Sequence, residues 1–94
     1  MSKQKTVIMV GAGVMGTGIA QHFASKGVKV ILMDVAQEFL DRARVTIANG
    51  VEVMASEQLY TPGEVQAVTD NITYATTAEL DKYGPMAAVA IESA

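Results

Sequence analysis

The chain of 94 residues has no cysteine, no tryptophan, only two prolines and no basic run. Without cysteine it has no disulfide framework, no cysteine-ligated metal and no thiol nucleophile. Its formal net charge of −3 gives no electrostatic support for binding to nucleic acid or to an anionic membrane. No stretch approaches the ~20 uninterrupted apolar residues that a membrane span requires. These absences predict a soluble, cytoplasmic protein with no metal site and with neither a nucleic-acid nor a membrane partner.

What the sequence does contain is an alternation of strand and helix patterns. Short apolar runs predict four strands, at 6–10, 28–33, 72–75 and 87–91. Apolar residues at helical spacing predict one helix from Val14 to about Ser25 and a second from Leu40 to Met54, although Gly50 is expected to weaken its last turns. Strands that alternate with helices form a parallel sheet through right-handed crossovers. The sequence therefore predicts an α/β fold.

A third helix is predicted by the segment Thr61-Pro62-Gly63-Glu64. Thr61 is a suitable N-cap, and Glu64 completes a capping box with it. Pro62 suits the first helical position because its missing N–H costs nothing there. The helix is expected to end near residues 70–71, and a helical turn is expected at 78–82 before the Gly84-Pro85 break.

Residues Gly11 to Gly16 form the pattern G-x-G-x-x-G between the first strand and the first helix. Gly11 permits a tight turn, Gly13 has no Cβ and lets the main chain approach a diphosphate, and Gly16 allows close packing of the helix against the sheet. The unpaired N–H groups and positive dipole end of the helix would then hold the phosphates. Because the pattern follows a strand and opens a helix, it predicts a dinucleotide-binding site. The alternative is an ordinary strand-to-helix turn.

An acidic residue, Asp34, ends the second strand 18 residues beyond Gly16, close to the ~20 that the dinucleotide fold requires. Its carboxylate can accept hydrogen bonds from both hydroxyls of the adenosine ribose and would repel a 2′-phosphate, which favours NAD over NADP. The alternative is an ordinary cap on the next helix. For such a half-fold we expect a truncated Rossmann-type parallel sheet with strand order 3-2-1-4 and helices on both faces.

The remaining chemically notable side chains have mostly structural interpretations. His22, the only histidine, lies near the far end of the first helix and is expected to face solvent. Met9, Met15, Met33, Met54 and Met86 are expected to fill the core. Met15 is a partial exception, because its place inside the glycine loop lets it border the nicotinamide half of the cofactor. Glu92 ends the fourth strand at the crevice where ligands bind in such sheets, and it is either functional or an exposed terminal acid.

The chain resembles the N-terminal part of the 3-hydroxyacyl-CoA dehydrogenases of fatty-acid and butyrate metabolism. The resemblance covers nearly the whole chain and rests on residues 10–21 (VGAGVMGTGIAQ), 30–34 (VILMD) and 89–94 (VAIESA). It implies an oxidoreductase that transfers hydride between NAD and the 3-hydroxyl carbon of a 3-hydroxyacyl-CoA. The cofactor contacts that it implies are Gly11, Ala12, Gly13, Val14, Met15, Gly16 and Asp34.

The chain also departs from the family's pattern. Members of the family are longer and carry their catalytic His–Glu pair beyond the point where this chain ends. The resemblance therefore implies that residues 1–94 are a partial NAD-binding domain without catalytic residues, and that a C-terminal substrate and dimerisation domain is absent from this chain. A further cofactor-contacting glutamate, expected shortly after Glu92, is missing. Gly50 and Glu57 stand where some members place a serine and a lysine that touch CoA.

Two other functions stay open on the sequence. A non-catalytic dinucleotide-binding module, either a redox sensor or a subunit, would need the same loop. An FAD-binding domain shares the glycine pattern but usually has glutamate where Asp34 stands. The implied substrate partner of the full-length enzyme is an acyl-CoA. Because a fourth strand at the sheet edge would leave Val89 and Ile91 in contact with water, we also expect a homo-oligomer or self-association through that strand.

Overall fold

The structure, a computed structural model, describes residues 6–83 and 89–92. Its elements in chain order are β1 (Thr6–Val10), α1 (Val14–Ser25), β2 (Lys29–Asp34), α2 (Gln37–Ser56), α3 (Pro62–Asn71), β3 (Ile72–Thr76), a 3-10 turn (Thr77–Glu79), α4 (Leu80–Tyr83) and β4 (Val89–Glu92). The predicted helices and strands therefore occur within a few residues of their expected bounds. The predicted Gly84-Pro85 break and the first two residues of the predicted fourth strand lie outside the described residues.

The four strands form one parallel sheet in the order β3-β2-β1-β4. β1 pairs with β2 on one side and with β4 on the other, and β2 pairs with β3. The registers place Val10 opposite Glu92 and Asp34 opposite Thr76. The carboxyl ends of all four strands therefore meet at the same end of the sheet, where the glycine turn also begins. The predicted α/β class with a Rossmann-like parallel sheet is confirmed.

Both faces of the sheet carry buried side chains, and successive residues of a strand contribute to opposite faces. On one face the strand residues pack against α1, α2 and α3, and this core consists of Met9, Val30, Leu32, Ala20, Ala24, Leu40, Ala43, Ile47 and Val68. On the other face Ile8, Ile31, Met33 and Ala75 form a smaller cluster, against which Tyr83 of α4 packs. Burial on both faces explains why the strands are continuous apolar runs. Met9 and Met33 are fully buried, as predicted, whereas Met54 is only partly buried and Met86 lies outside the described residues.

Gly50 does not interrupt α2, although its helix propensity is low. The helix continues beyond it to Ser56. A Cβ at Gly50 would lie 2.6 Å from Oε1 of Gln21 on α1, and the Gln21 side-chain amide donates a hydrogen bond to the Tyr60 hydroxyl at 3.3 Å. The missing side chain at Gly50 therefore leaves room for this amide, which links α1 to the loop before α3.

The capping box at the start of α3 is present as predicted. The Glu64 backbone N–H donates to Oγ1 of Thr61 at 3.2 Å, and the Thr61 backbone N–H donates to Oε1 of Glu64 at 2.9 Å. Lys26, at the end of α1, lies 3.4 Å from the other carboxylate oxygen of Glu64. The hydrogen bond from the Thr61 backbone and, secondarily, the nearby Lys26 ammonium lower the pKa of Glu64 below its usual 4.5.

The lowered pKa of Glu64 makes the stability of this helix start dependent on pH. Because the folded state favours the ionised carboxylate, its contribution is complete above the ordinary pKa of Glu64 and is lost as the pH falls through the lowered pKa. The free energies of unfolding of wild type and Glu64→Gln, measured with urea, should therefore become equal as the pH is lowered through this window. Thr61→Ala removes the other half of the box and should cost about 1 kcal/mol at neutral pH. If the difference in free energy of unfolding between wild type and Glu64→Gln stayed constant from neutral to acid pH, the stabilising role of the ionised Glu64 carboxylate would be contradicted.

Candidate functional site

The glycine turn leaves β1 through a backbone conformation that favours glycine. Gly11 has φ +106°, in the region that residues with a Cβ rarely adopt. Its N–H donates to the carbonyl oxygen of Met33 at 2.8 Å. This bond continues the contact between β1 and β2 into the turn, so the first residue of the turn is fixed to the end of β2.

Gly16 is required for a steric reason. A Cβ at Gly16 would overlap the carbonyl oxygen of Gly11 and lie 3.2 Å from its carbonyl carbon. The side chain of Met9 in β1 would be 3.7 Å away. The predicted close approach is therefore present, and its tightest contact is with the main chain at the start of the turn rather than with the sheet.

Gly13 leaves open space at the N-terminus of α1. It is exposed and forms the N-cap of the helix, with extended backbone angles. Among the described residues, no atom outside its own neighbours lies within 4 Å of the position that a Cβ would take. The first intrahelical bond runs from the Thr17 N–H to the Gly13 carbonyl oxygen at 2.9 Å. The N–H groups that precede this bond have no partner within the helix, as at any helix start, and suit an anion.

Asp34 faces the glycine turn. Its Oδ2 accepts a hydrogen bond from the Ala12 backbone N–H at 2.8 Å, and its Oδ1 accepts one from the Val35 backbone N–H at 2.6 Å. An ionised carboxylate offers about four acceptor positions, so two remain for further donors. The carboxylate is half-buried at the carboxyl end of β2. It is therefore oriented by the main chain and still able to accept from the two hydroxyls of a ribose.

Of the other residues selected from the sequence, some lie at the glycine turn and one lies far from it. His22 is exposed in the last turn of α1, at the opposite end of the helix from the glycine turn. The backbone of Val14 and Met15 forms the first turn of α1. Glu92 pairs in register with Val10, directly before the turn. Val35, for which the sequence predicted no role, is 74% exposed beside Asp34, and the available signal was an apolar residue directly after the acid.

A separate cleft of about 350 Å³ lies between α2, α3 and β3. The Cζ atom of Arg44 lies 4.2 Å from the centroid of the Tyr74 ring at this cleft. Burial raises the pKa of the Tyr74 hydroxyl, and the positive charge of Arg44 partly opposes the effect. The cleft shares no lining residue with the glycine turn. The sequence did not reveal it because its residues come from three separate elements.

Within residues 6–83 and 89–92 there is no group of three or more His, Asp or Glu residues that could hold a metal ion. None of the helices in the described part of the chain is both long and apolar enough to cross a membrane.

The parallel sheet, the glycine turn and the acid at the end of β2 together define the class of Rossmann-like domains. The residues present fit a dinucleotide, because the space beside Gly13 is open, the first amides of α1 suit phosphate and the Asp34 carboxylate faces the turn. The chain belongs to a family described as "3-hydroxyacyl-CoA dehydrogenase, NAD binding domain", whose model matches residues 6–94. NAD is therefore the cofactor of this domain.

Relatives of this chain are named as 3-hydroxyacyl-CoA or 3-hydroxybutyryl-CoA dehydrogenases. A probable 3-hydroxyacyl-CoA dehydrogenase from Caenorhabditis elegans is 42% identical over 64 residues, which are 68% of this chain and 22% of that protein. The crystal structure of (S)-3-hydroxybutyryl-CoA dehydrogenase from Ralstonia eutropha has a TM-score of 0.85 at 27% identity and covers 98% of this chain and 31% of its own. For 3-hydroxybutyryl-CoA dehydrogenase from Escherichia coli the TM-score is 0.86 at 27% identity, over 99% of this chain and 19% of that one. The chain thus spans about a fifth to a third of these relatives.

Proposed function

We propose that the NAD of this family binds at the glycine turn of this chain, with its diphosphate on the first amides of α1 and its adenosine ribose on Asp34. The observation that carries the proposal is the 2.8 Å hydrogen bond between Ala12 and Asp34, which holds the carboxylate against the turn. The residues assigned to cofactor binding are Gly11, Ala12, Gly13, Val14, Met15, Gly16 and Asp34.

The same geometry supports selection of NAD over NADP. A 2′-phosphate on the adenosine ribose would bring its negative charge against the Asp34 carboxylate, whose position the Ala12 and Val35 amides fix. Two negative charges in contact repel each other strongly where water is partly excluded. Exposed Val35, next to the acid, provides an apolar surface on which the adenine ring can pack.

The relatives' names support a dehydrogenase reaction for the protein to which this domain contributes. In that reaction, hydride passes between NAD and the 3-hydroxyl carbon of a 3-hydroxyacyl-CoA of fatty-acid metabolism. NAD supplies the hydride acceptor or donor when it is bound. The residues of this chain bind and orient the cofactor, and we assign a catalytic role to none of them. In particular, His22 is exposed at the far end of α1.

Within this proposal, residues 1–94 act as the NAD-binding part of a half-fold with strand order 3-2-1-4, and the acyl-CoA contacts and catalytic groups belong to other parts of the enzyme. Among the described residues β4 is an edge strand of the sheet. Homo-oligomer formation or self-association through that edge stays a prediction.

Isothermal titration calorimetry of the 94-residue chain with NAD, NADP and FAD tests the proposal. We expect saturable binding of NAD, much weaker binding of NADP and none of FAD. With 3-hydroxybutyryl-CoA and NAD we expect no turnover by this chain alone, measured by the absorbance of the reduced cofactor. Folded protein that fails to bind NAD would refute the site, and preferential binding of FAD would favour the flavin alternative.

A further inference from the structure

The carboxylate of Asp34 already makes two hydrogen bonds to the main chain. It accepts one from the N–H of Val35, the next residue along the chain. It accepts the other from the N–H of Ala12, which lies 22 residues away in the glycine turn. The second bond does not belong to a helix or to the sheet. It joins the end of β2 to the middle of the turn that precedes α1.

Contacts of Gly11 and Gly16 fix the two ends of the turn. Gly11 is tied to β2 through its bond to Met33, and Gly16 is in tight contact with the Gly11 carbonyl. Between them, Gly13 is exposed, and it has neither a side chain of its own nor a described neighbour near its Cβ position. Between these glycines, the bond to the Ala12 amide is a contact through which a side chain of another element holds the described segment.

The geometry points to a second role for Asp34, as a positioning residue that orders the glycine turn before NAD arrives. This inference rests on the proposed function, because the benefit of an ordered turn depends on NAD binding there. An ordered turn presents the first amides of α1 to the diphosphate without a further loss of backbone entropy on binding. The hydrogen bond between Ala12 and Asp34 is present without the cofactor, so it can be measured in the cofactor-free protein.

Two NMR measurements on the cofactor-free protein test the inference. In wild type, a long-range HNCO experiment should detect coupling between the Ala12 amide nitrogen and the Asp34 carboxyl carbon. In Asp34→Ala, hydrogen exchange at the Ala12 amide should accelerate by on the order of 10- to 100-fold, as expected for the loss of a hydrogen bond to a charged acceptor. Exchange of the buried Leu32 amide in β2 serves as the internal reference, so that a local opening of the turn is separated from a general loss of stability.

The matched control is Asp41→Ala. Asp41 is an exposed acid of α2 that accepts a hydrogen bond from the Gln37 side-chain amide at 3.0 Å, so the variant removes the same charge without touching the turn. It should leave Ala12 exchange unchanged. Equal acceleration in both variants, equal acceleration at Ala12 and Leu32, or absence of the coupling in wild type would overturn the inference. The coupling needs no variant, so the test stands even if Asp34→Ala does not fold.

The outcome separates this inference from the proposed function. If the Ala12 bond is detected and its loss accelerates exchange, while wild type fails to bind NAD, then Asp34 orders the turn and the cofactor assignment fails. If NAD binds to wild type but Ala12 exchanges equally fast with and without Asp34, the cofactor assignment holds and the positioning role is refuted.

Discussion

In a Gly16→Ala variant we expect NAD affinity to fall at least about tenfold and the free energy of unfolding to fall by about 1–3 kcal/mol. The added Cβ would overlap the Gly11 carbonyl oxygen, and both are attached to main chain that no side-chain rotation can move. Either α1 or the turn must shift, and the amides at the start of the helix shift with it. Calorimetry with NAD and urea unfolding measure the two effects.

Gly18→Ala provides a matched control on the same helix. Gly18 is exposed, and no described atom outside its immediate helix neighbourhood lies within 4 Å of the position of its added Cβ. Because glycine inside a helix is less favourable than alanine by about 1 kcal/mol, this variant should be stabilised by up to that amount. It should bind NAD as wild type does. If Gly16→Ala and Gly18→Ala behaved alike in both measurements, the tight contact at Gly16 would have no functional importance.

In an Asp34→Asn variant we expect the preference for NAD over NADP to fall by up to about 1,000-fold. Removal of the charge eliminates its repulsion with a 2′-phosphate, which amounts to about 4 kcal/mol for unit charges 4 Å apart at an effective dielectric constant of 20. It also weakens the hydrogen bonds from the ribose hydroxyls of NAD, since a charged acceptor is replaced by a neutral one. The measurement is the ratio of the two dissociation constants.

Asp41→Asn removes the same charge from the surface of α2 and controls for the net charge of the chain. The ratio of the NAD and NADP dissociation constants should stay close to that of wild type in this variant. An Asp34→Asn variant that kept the full preference for NAD would show that another group excludes the 2′-phosphate. The assignment of the ribose to Asp34 would then be wrong.

Much of the fold could be predicted because the signals are local. The continuous apolar runs of β1 and β2 follow from burial on both faces of the sheet, and the capping box of α3 is contained in four consecutive residues. The position of the glycine turn between a strand and a helix likewise depends on neighbours in sequence. At Gly50 such reasoning is incomplete, because propensity describes only the helix itself, whereas the close approach of the Gln21 side chain from another helix accounts for the glycine.

By itself, the sequence determined the order of helices and strands, the place of the glycine turn and the presence of an acid at the end of β2, because periodicity and turn chemistry act over a few residues. Only the tertiary structure decided that Gly16 meets the Gly11 carbonyl, that the Asp34 carboxylate binds the Ala12 amide, and that Arg44 lies over Tyr74 at a separate cleft. Most of these contacts join residues that are far apart in the chain, so they depend on how separate elements pack together. Their distances are set by the packing of helices against the sheet, which no local pattern encodes.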